Sequence, residues 1–305
     1  MPHAERAAIL AELTPGHVVS EPAAHTAPFV FCSPHSGRHY PAILREASRL
    51  EPHALRKSED CFVDDLYAGV AGLGAPLIAA RFPRAYLDVN REPFELDPEL
   101  FGSELPGYAN AQSIRVAGGL GTIARIVADG EEIYRTAPSL AAALERIEML
   151  YRPFHADLNG LLARTHETFG VAILIDCHSM PSAAMNQTNG NRPDIVLGDR
   201  FGVSCDPRLT RAVRDQLTKL GYHVQMNRPY AGGFITEHYG RPAHGVHALQ
   251  IELNRALYLD ERKLVPLKRY VKLQRDIAQL CRAIFAEFTP HALPTVVEPR
   301  RTAAE

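Results

Sequence analysis

The sequence lacks most of the features that would place it in a specialised class. Its 305 residues hold no apolar run of the roughly 20 residues that a membrane-crossing helix needs, so no membrane role is expected. Formal net charge is −2, and Lys and Arg are scattered without a basic block, which argues against nucleic acid or an anionic lipid surface as a partner. The five cysteines fall at irregular spacing with no CxxC pair. An odd, unframed set suits reduced thiols in a cytoplasm better than disulfides, and Cys177 reads as a small buried hydrophobe rather than a nucleophile. The opening MPHAERAAILAEL carries two acids and no small-residue cleavage site, so it does not read as a secretory leader. The pattern HExxH is absent, which removes thermolysin-type zinc chemistry at the level of motif.

What is present is an ordinary globular composition, 46% hydrophobic and 22% charged, in a chain long enough to bury a core without staples. Short apolar runs at 29–32, 76–80, 85–90, 170–175, 194–198 and 246–253 read as buried strands. Residues 59–73, 138–166, 207–220 and 261–287 carry helical spacing, the second with Pro153 as a point of interruption. The alternation predicts an α/β fold with a mostly parallel or mixed central sheet flanked by helices. Residues 1–26 are expected to form an N-terminal arm, a short helix plus irregular chain. Residues 27–290 would be a single domain, and 291–305 a loose polar tail.

In such sheets ligands bind outside the carboxyl ends of the strands, and the polar motifs gather there. The run ending at Asp176-Cys177-His178-Ser179 brings a carboxylate and an imidazole to one sheet edge. A second strand ends at Ser33-Pro34-His35-Ser36-Gly37. Alone, either histidine reads best as a satisfied structural residue. Two imidazoles delivered to one crevice read as a pair of zinc ligands, and a catalytic zinc asks for a third from His, Asp or Glu. The nearest acids are Glu59 and Asp60, with Asp64 one turn on. Asp60 is the preferred ligand, although a helix start explains first-turn acids equally well. Asp64 would then back a ligand imidazole.

Gln250, Glu252 and Asn254 share one face of a late strand, with Ile251 and Leu253 on the other. Glu252 is the candidate general base. Asn90-Arg91 follows a strand, and a guanidinium at Arg91 suits a substrate carboxylate through two parallel hydrogen bonds. Arg192, in a turn-rich loop, is a second such candidate.

The motifs SPHSG, SEDCFVDDLY, DVNRE, DCHSMP, NRPDIVLGD, YAGGFITEHYG and QIELNRALYLDE run in order from Ser33 to Glu261, and together this set resembles the N-formylglutamate amidohydrolase family. The resemblance implies a fold akin to the zinc carboxypeptidases and metal-dependent hydrolysis of a small acidic N-acyl amino acid such as N-formylglutamate. Those carboxypeptidases and the aspartoacylases share an order of elements that here reads His35, Asp60, Asn90-Arg91, His178, Glu252. In them the first acid follows its histidine in an HxxE pattern. Here that offset from His35 holds Arg38, so the acid must come from the 59–60 segment or elsewhere.

The expected site is therefore Zn²⁺, or another divalent metal, on His35, His178 and Asp60. Glu252 and Arg91 are the catalytic pair, and Asn90, Arg91, Arg192, Asn254 and Ser36 line the substrate site. A zinc amidohydrolase or carboxypeptidase acting on a different acyl amino acid or peptide terminus is the alternative within enzymes. A non-catalytic binder of an acidic metabolite is the alternative outside them, though such a protein needs no general base.

Overall fold

The computed structural model describes residues 2–102, 105–127, 130–183 and 192–289. Its centre is a seven-stranded sheet of β1 (His17–Ser20), β2 (Phe29–Ser33), β3 (Leu77–Ala80), β4 (Ala172–Met180), β5 (Ile195–Gly198), β6 (Val224–Met226) and β7 (Val246–Asn254). The order across the sheet is β1-β3-β2-β4-β7-β5-β6. Strands β3, β2, β4 and β7 are parallel neighbours, β1 is antiparallel to β3, and β5 is antiparallel to β7 and parallel to β6. The mixed α/β architecture expected from the sequence is the one observed.

Both faces of the sheet are covered, which is why β4 and β2 read as unbroken apolar runs. On one face Phe29, Phe31, Ile173, Ile175 and Cys177 pack with helices Val63–Tyr67, Pro207–Lys219 and Tyr270–Phe288. On the other, Val30, Cys32, Ala172 and Leu174 pack with helices Pro2–Glu12, Leu140–Arg146 and Arg152–Phe169. Period-two alternation then puts Asp176 and His178 on the second face, directly beyond Ala172 and Leu174. The apolar row therefore ends in a polar pair at the carboxyl edge.

Several sequence expectations are corrected in detail. Residues 85–90 form turns rather than a strand, and this loop after β3 carries Asp88, Asn90 and Arg91 to the edge. The helix expected over 59–73 starts only at Val63 and continues as a 3-10 turn, Ala68–Leu73. The long helical pattern over 138–166 is two helices joined by a π turn, Ile147–Tyr151, immediately before Arg152-Pro153, where a missing proline N–H can be tolerated. The closing helix starts at Tyr270, after a two-residue-per-strand hairpin over 259–266. The N-terminal segment is less irregular than expected: it contributes an edge strand, and Ile9 and Leu13 are buried in the core. The tail expected over 291–305 lies outside the described residues.

Candidate active site

Three ligand-type side chains converge at the carboxyl ends of β2 and β4. His35 Nδ1 lies 3.5 Å from Asp60 Oδ2, and His178 Nδ1 lies 3.0 Å from the same oxygen. All three residues are buried, and their ligand atoms fall within 4.8 Å of one another. Two donors about 2.1 Å from a tetrahedral zinc stand about 3.4 Å apart, which the two observed spacings bracket.

The far side of each ring is fixed by a carboxylate. His35 Nε2 is 2.8 Å from Asp88 Oδ1, and His178 Nε2 is 2.8 Å from Asp176 Oδ1. A carboxylate behind Nε2 holds the proton there and turns the Nδ1 lone pair inward, the arrangement of metal-ligating histidines. Among the described residues His35 Nδ1 is buried without a hydrogen-bond partner, as suits a nitrogen that ligates a cation. The donor set of two imidazoles and a carboxylate suits zinc. These residues fit a bound divalent ion.

Asp60 reaches this place through local geometry. Its N–H donates to His35 O (3.0 Å), which docks the 59–62 turn against the end of β2. Phe62 takes a left-handed conformation (φ 63°) and separates this turn from the helix that starts at Val63. Arg255 Nη2 and Ser179 Oγ donate to Asp60 Oδ1 at 3.1 and 3.3 Å. Burial alone would raise the Asp60 carboxyl, but the two imidazoles hold it well below the usual carboxylate range. Burial would likewise lower His178, and the Asp176 carboxylate keeps it well above the usual histidine value instead.

Glu252 stands opposite His178 in the β4–β7 register and lines the same cavity of about 680 Å³. Burial raises its carboxyl to about 7, against the opposing pull of His178. Its Oε1 accepts from Gln250 Nε2 (2.9 Å), and Gln250 Oε1 accepts from Gly233 N–H (2.8 Å). Asn90 Oδ1 accepts from Ile235 N–H (2.7 Å), which leaves Asn90 Nδ2 in contact with His178 Nε2, 3.2 Å away, without a hydrogen bond while Nε2 gives its proton to Asp176. A Cβ on Gly233 would meet the Asn90 amide at 2.4 Å, so this close approach needs glycine. Thr236 Oγ1 closes the ring of contacts by donating to Asp176 Oδ2 (2.9 Å).

Arg91 lines the cavity, with Nε donating to Leu120 O and Nη1 to Asn90 O, both at 2.8 Å. Burial lowers its guanidinium to about 10, and the Arg84 and Arg115 charges push the same way against Asp88. The cavity thus has a surplus of positive charge at this end.

The residues expected from sequence divide clearly. His35, Asp60, Asn90, Arg91, His178 and Glu252 all line the one cavity. Arg192 is exposed and is not part of that lining, and its carbonyl accepts from His223 Nδ1. Asn254 is turned away, its amide spent on Pro193 O and Ala256 N–H. Ser36 is buried against Ser33 and the Asp64 N–H and faces a separate surface hollow. Asp64 pairs with Arg38 instead of backing an imidazole, and Glu59 is held by Arg56 and Tyr40. The Cys177 thiol, pushed well above its usual range by burial, stays protonated.

Sequence reasoning gave no role to Asp88, Asp176, Thr236, Arg255 or Arg115, and put Gln250 on the face of Glu252 without a task of its own. For the two aspartates a signal existed: an Asp stands two residues before His178 and two before Asn90.

The sequence profile of N-formylglutamate amidohydrolase matches residues 27–259. An N-formylglutamate deformylase of Pseudomonas putida is 32% identical over 237 residues, covering 77% of this chain and 82% of that protein. Its counterpart in Pseudomonas aeruginosa is 31% identical over 264 residues, covering 85% and 90%. The crystal structure of an N-formylglutamate amidohydrolase from Ralstonia eutropha JMP134 matches with a TM-score of 0.86 at 34% identity, over 91% of this chain and 99% of that one. An Agrobacterium tumefaciens protein with a TM-score of 0.62 and 18% identity shares the fold alone.

Proposed function

This chain belongs to the N-formylglutamate amidohydrolase family, and from that premise we propose that it hydrolyses the amide bond of N-formyl-L-glutamate to formate and glutamate. The observation that carries the reading is the meeting of His35 Nδ1, His178 Nδ1 and Asp60 Oδ2 beside Glu252, in a cavity with guanidinium groups at one end. His35, His178 and Asp60 would hold a divalent metal, zinc by the chemistry of the donors. When bound it would supply a Lewis acid that makes water more acidic and polarises the formyl carbonyl.

Glu252 is the proton carrier in this reading. Its carboxylate accepts a proton from the attacking water and returns it to the departing amine nitrogen, for which a pKa near neutrality is well matched. Gln250 orients it: its oxygen is committed to Gly233 N–H, so its amide nitrogen must face Glu252. Arg91 binds the substrate α-carboxylate through Nη2, which among the described residues makes no hydrogen bond and only a 3.6 Å ion pair with Asp88 Oδ2. Asp88 ties these parts together, accepting from His35 Nε2 and Asn90 N–H on one oxygen and from Arg84 Nη2 on the other.

The test is release of formate from N-formyl-L-glutamate by the protein as isolated, after chelation, and after zinc is restored. Activity should vanish on chelation and return with the metal. Glu252→Gln should keep its metal and lose about 100-fold or more in kcat. Full activity after chelation, or in Glu252→Gln, would overturn the mechanism.

A further inference from the structure

Six cationic side chains line the cavity: Lys57, Arg84, Arg91, Arg115, Arg200 and Arg255. Most are committed within the protein. Arg84 donates to Asp88 at 2.7 Å, and Arg255 to Asp60, Ser179 and Lys57 O. Arg200 donates to Gly232 O and pairs with Glu237 at 2.7 Å, and Lys57 pairs with Glu131 at 2.9 Å. Arg115 differs. Among the described residues its guanidinium makes no hydrogen bond, and its one ion pair is a long one, 3.8 Å to the buried Glu95. Glu95 accepts from Glu92 N–H through the same oxygen, so it orients Arg115 without saturating it.

The backbone places Arg115 next to Arg91. Arg91 Nε donates to Leu120 O, and Leu120 N–H donates back to Arg115 O at 2.7 Å. The short helix Ile114–Ala117 that carries Arg115 is capped by Ser113 Oγ on Val116 N–H. Leu120, Ala124, Ile126 and Val127 add an apolar wall beside it, where a charged hydrogen bond gains strength from the lower dielectric. Seen from the metal ligands, Arg91 is the nearer cation, adjoining Asn90, and Arg115 lies one link further out.

We propose that Arg115 is the specificity-determining residue that receives the side-chain carboxylate of the substrate. The inference rests on the proposed function and deepens it. An N-formylglutamate dianion carries its α-carboxylate on the carbon bonded to the scissile nitrogen and its second carboxylate at the end of the side chain, two methylene groups further along. The near carboxylate meets Arg91 and the distal one Arg115, whose guanidinium makes no hydrogen bond among the described residues and only the long ion pair with Glu95. A neutral side chain leaves Arg115 facing the cavity without an anion, so discrimination arises from an unmet charge as well as from a lost contact.

The experiment compares kcat/KM for N-formyl-L-glutamate and N-formyl-L-glutamine, which differ in one charged group, in wild type, Arg115→Gln and Arg115→Lys. Wild type should favour formylglutamate by about 100-fold. Arg115→Gln should collapse that ratio to within a few-fold of one, and Arg115→Lys should restore part of it. Thermal midpoints verify that the variants are folded. An unchanged ratio in Arg115→Gln, or equal losses on both substrates, would overturn the role of Arg115 while leaving the deformylase reading intact. A metal-loaded wild type that hydrolyses neither substrate would overturn both.

Discussion

Replacing Asp60 by Asn separates the proposed ligand set from its nearest rival. The substitution keeps the shape and one acceptor but removes the charge that faces two imidazoles and Arg255. Arg255 is buried and would keep the Lys57 carbonyl and Ser179 hydroxyl, with a neutral amide oxygen in place of its one carboxylate partner. Breaking a buried ion pair by deleting one partner costs about 3–5 kcal/mol, and the retained amide oxygen should hold the loss near the lower figure. At about 2–4 °C per kcal/mol for a domain of this size, the metal-free protein should melt roughly 6–12 °C lower. The effect on metal should be larger still. Loss of a carboxylate behind a ligand imidazole costs about 10–100-fold in affinity, and loss of a ligand itself should exceed 100-fold. Metal content after dialysis against a weak chelator reads this directly. Asp60→Asn should retain almost none, whereas Glu59→Gln should stay loaded, because Glu59 is spent on Arg56 and Tyr40. Stoichiometric metal in Asp60→Asn, or metal lost from Glu59→Gln, would refute the assignment.

Three further outcomes follow from the same geometry. Asp88→Asn and Asp176→Asn should each weaken metal binding by about 10–100-fold, measured by competition with a chromophoric chelator, while substitution at Asp64, paired with Arg38, should not. Gly233→Ala should push a Cβ into the Asn90 amide, lower stability by about 1–3 kcal/mol in urea unfolding and cut kcat at least tenfold, as Asn90 and Gln250 lose register with the site. Burial holds His247 neutral, with its pKa lowered to about 4. Between that value and an unfolded value near 6.5 the unfolded chain binds more protons, so this residue makes stability fall as pH drops. The loss between pH 7 and pH 5 should be about 2 kcal/mol smaller in His247→Gln than in wild type, each measured by urea titration; an identical loss would show that His247 is not buried neutral.

The sequence was most legible where one residue's neighbours along the chain are also its neighbours in space. The strand Ala172–Met180 is one such place: its apolar run and its period of two already put Asp176 beside His178. The same periodicity joined Gln250 to Glu252. Legibility failed where contacts run between segments. The loop over 85–91 has apolar residues because Ala85, Tyr86, Leu87 and Val89 are buried by helices packed over it, and tertiary burial imitates a strand pattern there. Arg115 was invisible because a short Ser-capped turn on the chain gives no hint that it adjoins Arg91 through Leu120.

The third ligand of the proposed set shows why spacing alone could not decide. In an HxxE pattern the acid and the histidine share one turn, so the sequence reports their contact. Here Arg38 occupies that offset and turns outward to Asp64 and Asp65. In the proposed set the acid comes instead from 25 residues downstream, and two long-range contacts substitute for proximity: Asp60 N–H to His35 O, and Arg255 to Asp60 Oδ1. The second of these spans nearly 200 residues of chain. Glu59, one position earlier, is excluded by the same framework, since an extended residue beside Asp60 points the other way, toward Arg56 and Tyr40. The choice between two adjacent acids is therefore made by the direction of the backbone at a turn fixed from both ends, which no local pattern in the sequence records.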